Sequence, residues 1–183
     1  RKIIFGEDKN NFSKQQFVIS QSTTGRSSSN FNYDLETILK RGMKSYLKEA
    51  EARLAKAKEH PGQYVKEGAF WEAAVICCQA FTIFVKRYAE ETRRVAETVS
   101  DSVRRAELLE MAENCAWVAE NPARDFRTAM QLQWFVMVFV RLEQMNGASL
   151  GNARMDQHLL PYYQQDIANG KLTRAQAKEL LEC

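Results

Sequence analysis

Apolar and polar positions fall into a helical rhythm from residue 34 onward and into none before it. Residues 1 to 33 read as irregular. Within them, residues 20 to 30 are small, polar and rich in turn formers, a composition that suits a loop pinned over a site as well as a disordered arm. Asp34 is placed to cap a first helix. After it Leu35, Ile38, Leu39, Met43, Tyr46, Leu47, Ala50 and Leu54 recur at three- and four-residue steps, with Lys44, Lys48, Glu51 and Lys58 opposite. His60-Pro61-Gly62 is expected to end that helix.

A second helix is predicted from about 66 to 99. Its first half is apolar on nearly every side, from Phe70 and Trp71 through Val75 and Ile76 to Phe84 and Val85, and its second half turns Tyr88, Val95 and Val99 inward. The third, about 101 to 119, places Val103, Leu108, Met111, Ala112 and Cys115 on one face. Asn121-Pro122 breaks the chain, with Asn121 as N-cap of a fourth helix to about 144. Turn signals fill 146 to 157. Two short helices follow, about 158 to 168 and 173 to 182, separated by the stop Asn169-Gly170 and started by the cap Thr173. No fixed-period repeat and no strand is read.

A helix apolar all round belongs in the interior of something larger. The chain is therefore expected to be the helical part of a longer protein, and its opening on Arg1 rather than methionine agrees. No membrane crossing is expected, because Gln79 and Thr82 interrupt the most apolar stretch and charges flank it. Of the charged residues, 26 are basic and 23 acidic, a net +3 with no basic stripe, which argues against nucleic-acid binding. Between 86 and 97 the basic and acidic residues alternate at spacings that favour ion pairs along one helix face.

Candidate chemistry is sparse. Four cysteines, at 77, 78, 115 and 183, make no disulfide framework and no C-x-x-C pair. Cys77, Cys78 and Cys115 are expected as small core residues, and two histidines give no material for a metal centre. There is no phosphate loop, no HExxH pair and no serine elbow. The one dense polar cluster is Arg154-Met155-Asp156-Gln157, read as a hydrogen-bonded knot tying a loop to helix ends. His158 beside it is a general base or, more plainly, a cap or surface residue.

From residue 120 onward the order of motifs adds a resemblance. Pro122-Ala123, Phe126, Ala129, Gln131 and Trp134-Phe135 lead to Asn146-Gly147. Then come Arg154, Asp156-Gln157, Pro161-Tyr162-Tyr163, Asp166, Gly170 and Leu172-Thr173. This series resembles the pyruvate formate-lyase-like glycyl radical enzymes, over about residues 34 to 183. The resemblance implies that 34 to 183 is part of that family's domain, mainly α here, and the helical portion of a ten-stranded α/β-barrel.

It further implies cleavage of a C-C, C-O or C-N bond of a small polar substrate by thiyl-radical hydrogen abstraction. A glycyl radical would be installed by an activating enzyme that uses S-adenosylmethionine and an iron-sulfur cluster. A homodimer in an anaerobic bacterial cytoplasm is implied as well. Neither the G-C-V-E-type cysteine loop nor the R-V-x-G-Y glycine loop occurs in the chain, so no catalytic residue is assigned and no cofactor is expected to bind this segment.

The resemblance assigns Ser149, two residues after Asn146-Gly147, to substrate polar groups. Met155 takes the place of an aromatic pocket wall, Ala153 that of a glycine, and Asn30 that of a histidine found in many dehydratases. These departures count against glycerol, propanediol and choline chemistry. Arg154, Asp156 and Gln157 are assigned to structure. A stand-alone helical interaction protein, or a decayed and non-catalytic gene product, is the alternative of another class.

Overall fold

The computed structural model describes residues 33–143, 151 and 154–182, and among them every regular element is a helix. In chain order these are α1 (Leu35–Arg41), α2 (Met43–Glu59), α3 (Pro61–Gln63), a π-helical turn (Tyr64–Gly68) and α4 (Ala69–Thr98). Then come α5 (Ser102–Val118), α6 (Phe126–Glu143), α7 (Met155–His158), α8 (Leu160–Ala168) and α9 (Arg174–Glu182).

Asp34 caps α1 as expected, its carboxylate accepting from the Thr37 N–H at 3.1 Å. The first helix is not continuous to residue 59, however. Gly42 adopts φ +68° and splits it into α1 and α2. The cause lies elsewhere in the chain: a Cβ at Gly42 would sit 2.4 Å from the backbone of Asn121 and of Pro122. Lys44 N–H donates to Glu120 C=O and Ala123 N–H to Leu39 C=O, at 2.8 and 2.9 Å, so the junction is stitched to the segment between α5 and α6. Periodicity carries no sign of such a contact.

Pro61 does not stop the chain from being helical. It occupies the first turn of α3, where its missing N–H is harmless, and helix then runs without a break to Thr98. This 38-residue span contains a window of mean hydropathy 1.6 and is, by length and composition alone, long and apolar enough to cross a membrane. The expectation from Gln79 and Thr82 underestimated it, because two uncharged polar residues lower the window average little. Core helices of soluble proteins satisfy the same criterion.

α4 packs lengthwise between α2 and α5, and α5 packs on α6, which also carries α1 and α8. Alanines line the first of these contacts: Ala57, Ala89, Ala96 and Ala112 are buried, and their small side chains let helix backbones approach closely. Between α4 and α6 large rings take over. Phe81 meets Phe139 at 5.4 Å and Tyr88 meets Phe135 at 5.3 Å, both edge to face. The central core joins Leu35 and Leu39, Phe81 and Val85, Cys115 and Val118, and Ala129, Leu132 and Phe135.

The inward faces differ in phase from those expected. On α4 the buried residues are Phe81, Val85, Ala89 and Ala96, while Tyr88 is exposed apart from its ring contacts. On α5, Leu108, Ala112, Cys115 and Val118 are buried and Val103 and Met111 are not. Phe70, Ile76 and Ile83 on the all-apolar half of α4 are 66%, 63% and 54% exposed, so this half is not enclosed by the described residues. Cys77 is exposed with them, Cys78 is half-buried, and only Cys115 matches the core role. The charges between 86 and 97 pair partly across elements: Lys86 bonds Glu120, while Arg94 holds Glu91 within α4.

Candidate functional site

Helix α6 is the platform for the polar cluster. Its N-terminus is built by Asp125, not Asn121. The Asp125 carboxylate accepts from the Thr128 N–H at 2.8 Å, and the Thr128 hydroxyl accepts the N–H groups of Arg124 and Asp125 at 3.0 Å. Asn121 instead closes the helix before it, its side-chain amide donating to Trp117 C=O at 3.1 Å.

A second acid serves the same helix end from far along the chain. Asp166 on α8 is 4% exposed, and one carboxylate oxygen accepts the Phe126 N–H at 2.7 Å. Asp166 C=O also receives Lys171 N–H at 2.9 Å, so the residue joins the start of α6 to the turn after α8. Edge-to-face packing of Phe126 on Tyr163, 5.9 Å apart, covers this cap. The Asp of the Pro-Tyr-Tyr-x-x-Asp motif is thus a long-range helix cap, a role that spacing in sequence does not reveal.

Midway along α6, Gln133 interrupts an apolar run and is buried, on the helix face that also carries the buried Ala129, Leu132 and Val136. A buried carboxamide is costly unless its polar atoms are satisfied. Its oxygen lies 2.8 Å from Nε2 of His158, and its nitrogen donates to the Met155 sulfur at 3.2 Å. Because the carboxamide oxygen can only accept, Nε2 carries the imidazole proton. His158 is buried rather than a surface residue, and burial lowers its pKa, against opposing pulls from Glu36 and Asp156. The ring is therefore neutral near pH 7.

Met155 begins α7, half-buried, packed on the core beneath. Arg154 and Asp156 lie beside it on the outer side. The guanidinium grips the carboxylate through two hydrogen bonds of 3.1 and 2.9 Å, with both side chains about two-thirds exposed. The hydrogen bond to Arg154, and its charge, hold the Asp156 carboxyl below its usual range. Gln157 is exposed and closes the turn through its N–H to Arg154 C=O at 2.8 Å. This knot is local. The ties from this turn to α6 run through Met155 and His158.

Of the substrate-facing residues expected from sequence, Met155 is thus placed beside Gln133, whereas Ser149 and Asn30 lie outside the described residues, as do Asn146, Gly147, Ala153 and Cys183. Gln133 was missed; its signal was a polar residue on the inward stripe of an apolar helix. Among the described residues no cluster of three metal-ligating side chains occurs.

Residues 4–183 match the family model described as pyruvate formate lyase-like. The isethionate sulfite-lyase of Desulfovibrio desulfuricans is 47% identical over 92% of this chain, and the trans-4-hydroxy-L-proline dehydratase of Clostridioides difficile is 39% identical over 81%. The chain spans 20% and 19% of these two relatives' own lengths. Among solved structures, the glycerol-bound B12-independent glycerol dehydratase of Clostridium butyricum aligns with a TM-score of 0.83 at 26% identity. That alignment covers 96% of this chain and 26% of the other. The C. difficile hydroxyproline dehydratase with its substrate bound aligns at 0.79 and 30% identity, over 97% and 25%.

Proposed function

The chain belongs to the pyruvate formate lyase-like family of glycyl radical enzymes, and from that premise we propose that it serves a lyase acting on isethionate with release of sulfite. The observation that carries this reading is the graded similarity. Four isethionate sulfite-lyases are 41% to 47% identical over at least 92% of the chain. The dehydratases and the decarboxylase matched are 31% to 40% identical over shorter spans. Elimination of sulfite from isethionate leaves a two-carbon carbonyl product, so atoms and electrons balance without an external oxidant.

In this reading the chain contributes scaffold and one wall of a pocket within the barrel of the whole enzyme. Ser149 donates to a polar group of the substrate, Asn30 and Met155 line the same pocket, and Arg154, Asp156 and Gln157 hold the turn that presents Met155. The wall is uncharged: a thioether backed by a carboxamide and a neutral imidazole excludes water from a reactive centre. The radical would supply hydrogen-atom abstraction, but none of the described cysteines fits the role of relay. Cys115 is buried in the core, and Cys77 and Cys78 share a helix with no loop around them. The whole enzyme works as a cytoplasmic homodimer activated by a radical S-adenosylmethionine enzyme.

Dehydration of trans-4-hydroxy-L-proline is the second reading, favoured by the 39% identity over 81% of the chain. The test is anaerobic activation of the full-length protein, followed by an organic-radical EPR signal and turnover of each substrate. Sulfite release from isethionate supports the first reading, and consumption of hydroxyproline alone supports the second. A full-length protein that forms no radical and turns over neither compound refutes the enzymatic reading.

A further inference from the structure

Met155 poses a problem that its surroundings solve. A methionine has three rotatable side-chain bonds and by itself specifies no surface. Here its sulfur accepts from the Gln133 side-chain amide at 3.2 Å. A thioether is a weak acceptor, so this contact orients the flexible methionine side chain but is not what keeps a carboxamide in the core. The stronger tie is the 2.8 Å bond between Gln133 and His158. That bond fixes the rotation of the carboxamide plane, and the plane in turn aims the amide N–H at the sulfur.

The three residues sit on elements of unequal stiffness. Gln133 is on the 18-residue α6, capped by Asp125 and Asp166. Met155 and His158 sit at the two ends of the four-residue α7. The longer helix therefore sets the geometry and the short one follows it.

We propose that Gln133 is the positioning residue of the pocket wall: held by His158, it fixes where the Met155 thioether stands against the substrate. This rests on the reading above that Met155 faces the pocket. Gln133 itself touches no substrate. A purely structural role is the competing account, in which Gln133 only satisfies the buried imidazole.

Three variants of the full-length, activated enzyme separate these accounts, with thermal unfolding and kinetics measured on each, using whichever of isethionate and trans-4-hydroxy-L-proline the wild-type enzyme turns over. Gln133→Leu leaves His158 unpaired and frees Met155; a lower Tm and a KM raised roughly three- to tenfold, with a smaller change in kcat, are expected. Gln133→Leu with His158→Phe removes both polar partners together, and replacing both ends of a buried hydrogen bond with apolar groups is close to neutral in stability. Tm should therefore recover while KM stays raised. Recovery of KM along with Tm in that double variant overturns the positioning role, as does an unchanged KM in Gln133→Leu. Met155→Ala tells which premise is at fault. If it leaves KM unaltered, the placement of Met155 on the pocket falls and the positioning role with it. If Met155→Ala shifts KM while the double variant behaves as wild type, only the positioning role falls.

Discussion

Replacing Gly42 by alanine tests the junction on which the α1–α2 arrangement depends. Two costs add there. At φ +68° and ψ 161° the backbone lies where an L side chain is strained by about 1–3 kcal/mol. The new Cβ would also stand 2.4 Å from backbone atoms of Asn121 and Pro122, which are not the free ends of flexible side chains and cannot rotate away. Relieving that overlap means parting the junction from the segment between α5 and α6. Parting them loses the Lys44–Glu120 and Ala123–Leu39 backbone bonds, each worth about 0.5–1.5 kcal/mol net. The sum is about 2–6 kcal/mol, or a fall in Tm on the order of 10 °C for a domain of this size.

Two other glycines isolate the terms. Gly170 has the same φ of +68° with nothing within 4 Å of where a Cβ would stand, so Gly170→Ala should cost only the strain, about 1–2 kcal/mol. Gly62 is exposed in helical conformation with open space around it, so Gly62→Ala should stabilise by about 0.5–1 kcal/mol. Urea unfolding followed by circular dichroism gives all three. A Gly42→Ala loss no greater than that of Gly170→Ala would refute the close backbone approach.

Removing the long-range cap with Asp166→Ala should destabilise by about 1–2 kcal/mol and speed amide exchange at Phe126, whereas Asp166→Asn, which keeps an acceptor, should lose less; equal losses would mean that the acceptor is not what matters. Because the folded pKa of His158 is lowered, the unfolded chain binds its proton first, so the contribution is whole above about pH 6.5 and is lost as pH falls toward the folded value. Unfolding midpoints should accordingly decline from pH 7 to pH 5, and that slope should flatten in His158→Phe; a slope unchanged by the substitution counts against a neutral buried ring. With a thiol reagent, Cys77 should label in the folded 183-residue chain by itself and Cys115 only after unfolding, as mass spectrometry of the labelled peptides would report.

The sequence by itself determined the helices and several of their ends. Asp34, Thr173 and Asn169-Gly170 act within a few residues of themselves, through a side chain reaching the next turn or a glycine taking a positive φ. Thr173 even forms the reciprocal cap with Gln176 that its spacing allows. The motif order from Pro122 to Thr173 likewise sufficed for the family, because it is a property of the chain and not of its packing.

Only the tertiary structure decided what depends on distant partners. Gly42 breaks a helix because Asn121 and Pro122 crowd it from some 80 positions away. Asp166 caps a helix that starts 40 residues earlier. The inward phase of α4 follows its contacts with α2 and α5, since a stripe apolar on every side offers periodicity no preference, and this turned Tyr88 outward while Phe81 stayed in the core. Gln133 and His158 each looked like an ordinary polar residue near an apolar run. Paired across 25 positions they become a satisfied buried bond, and that bond holds Met155 in place.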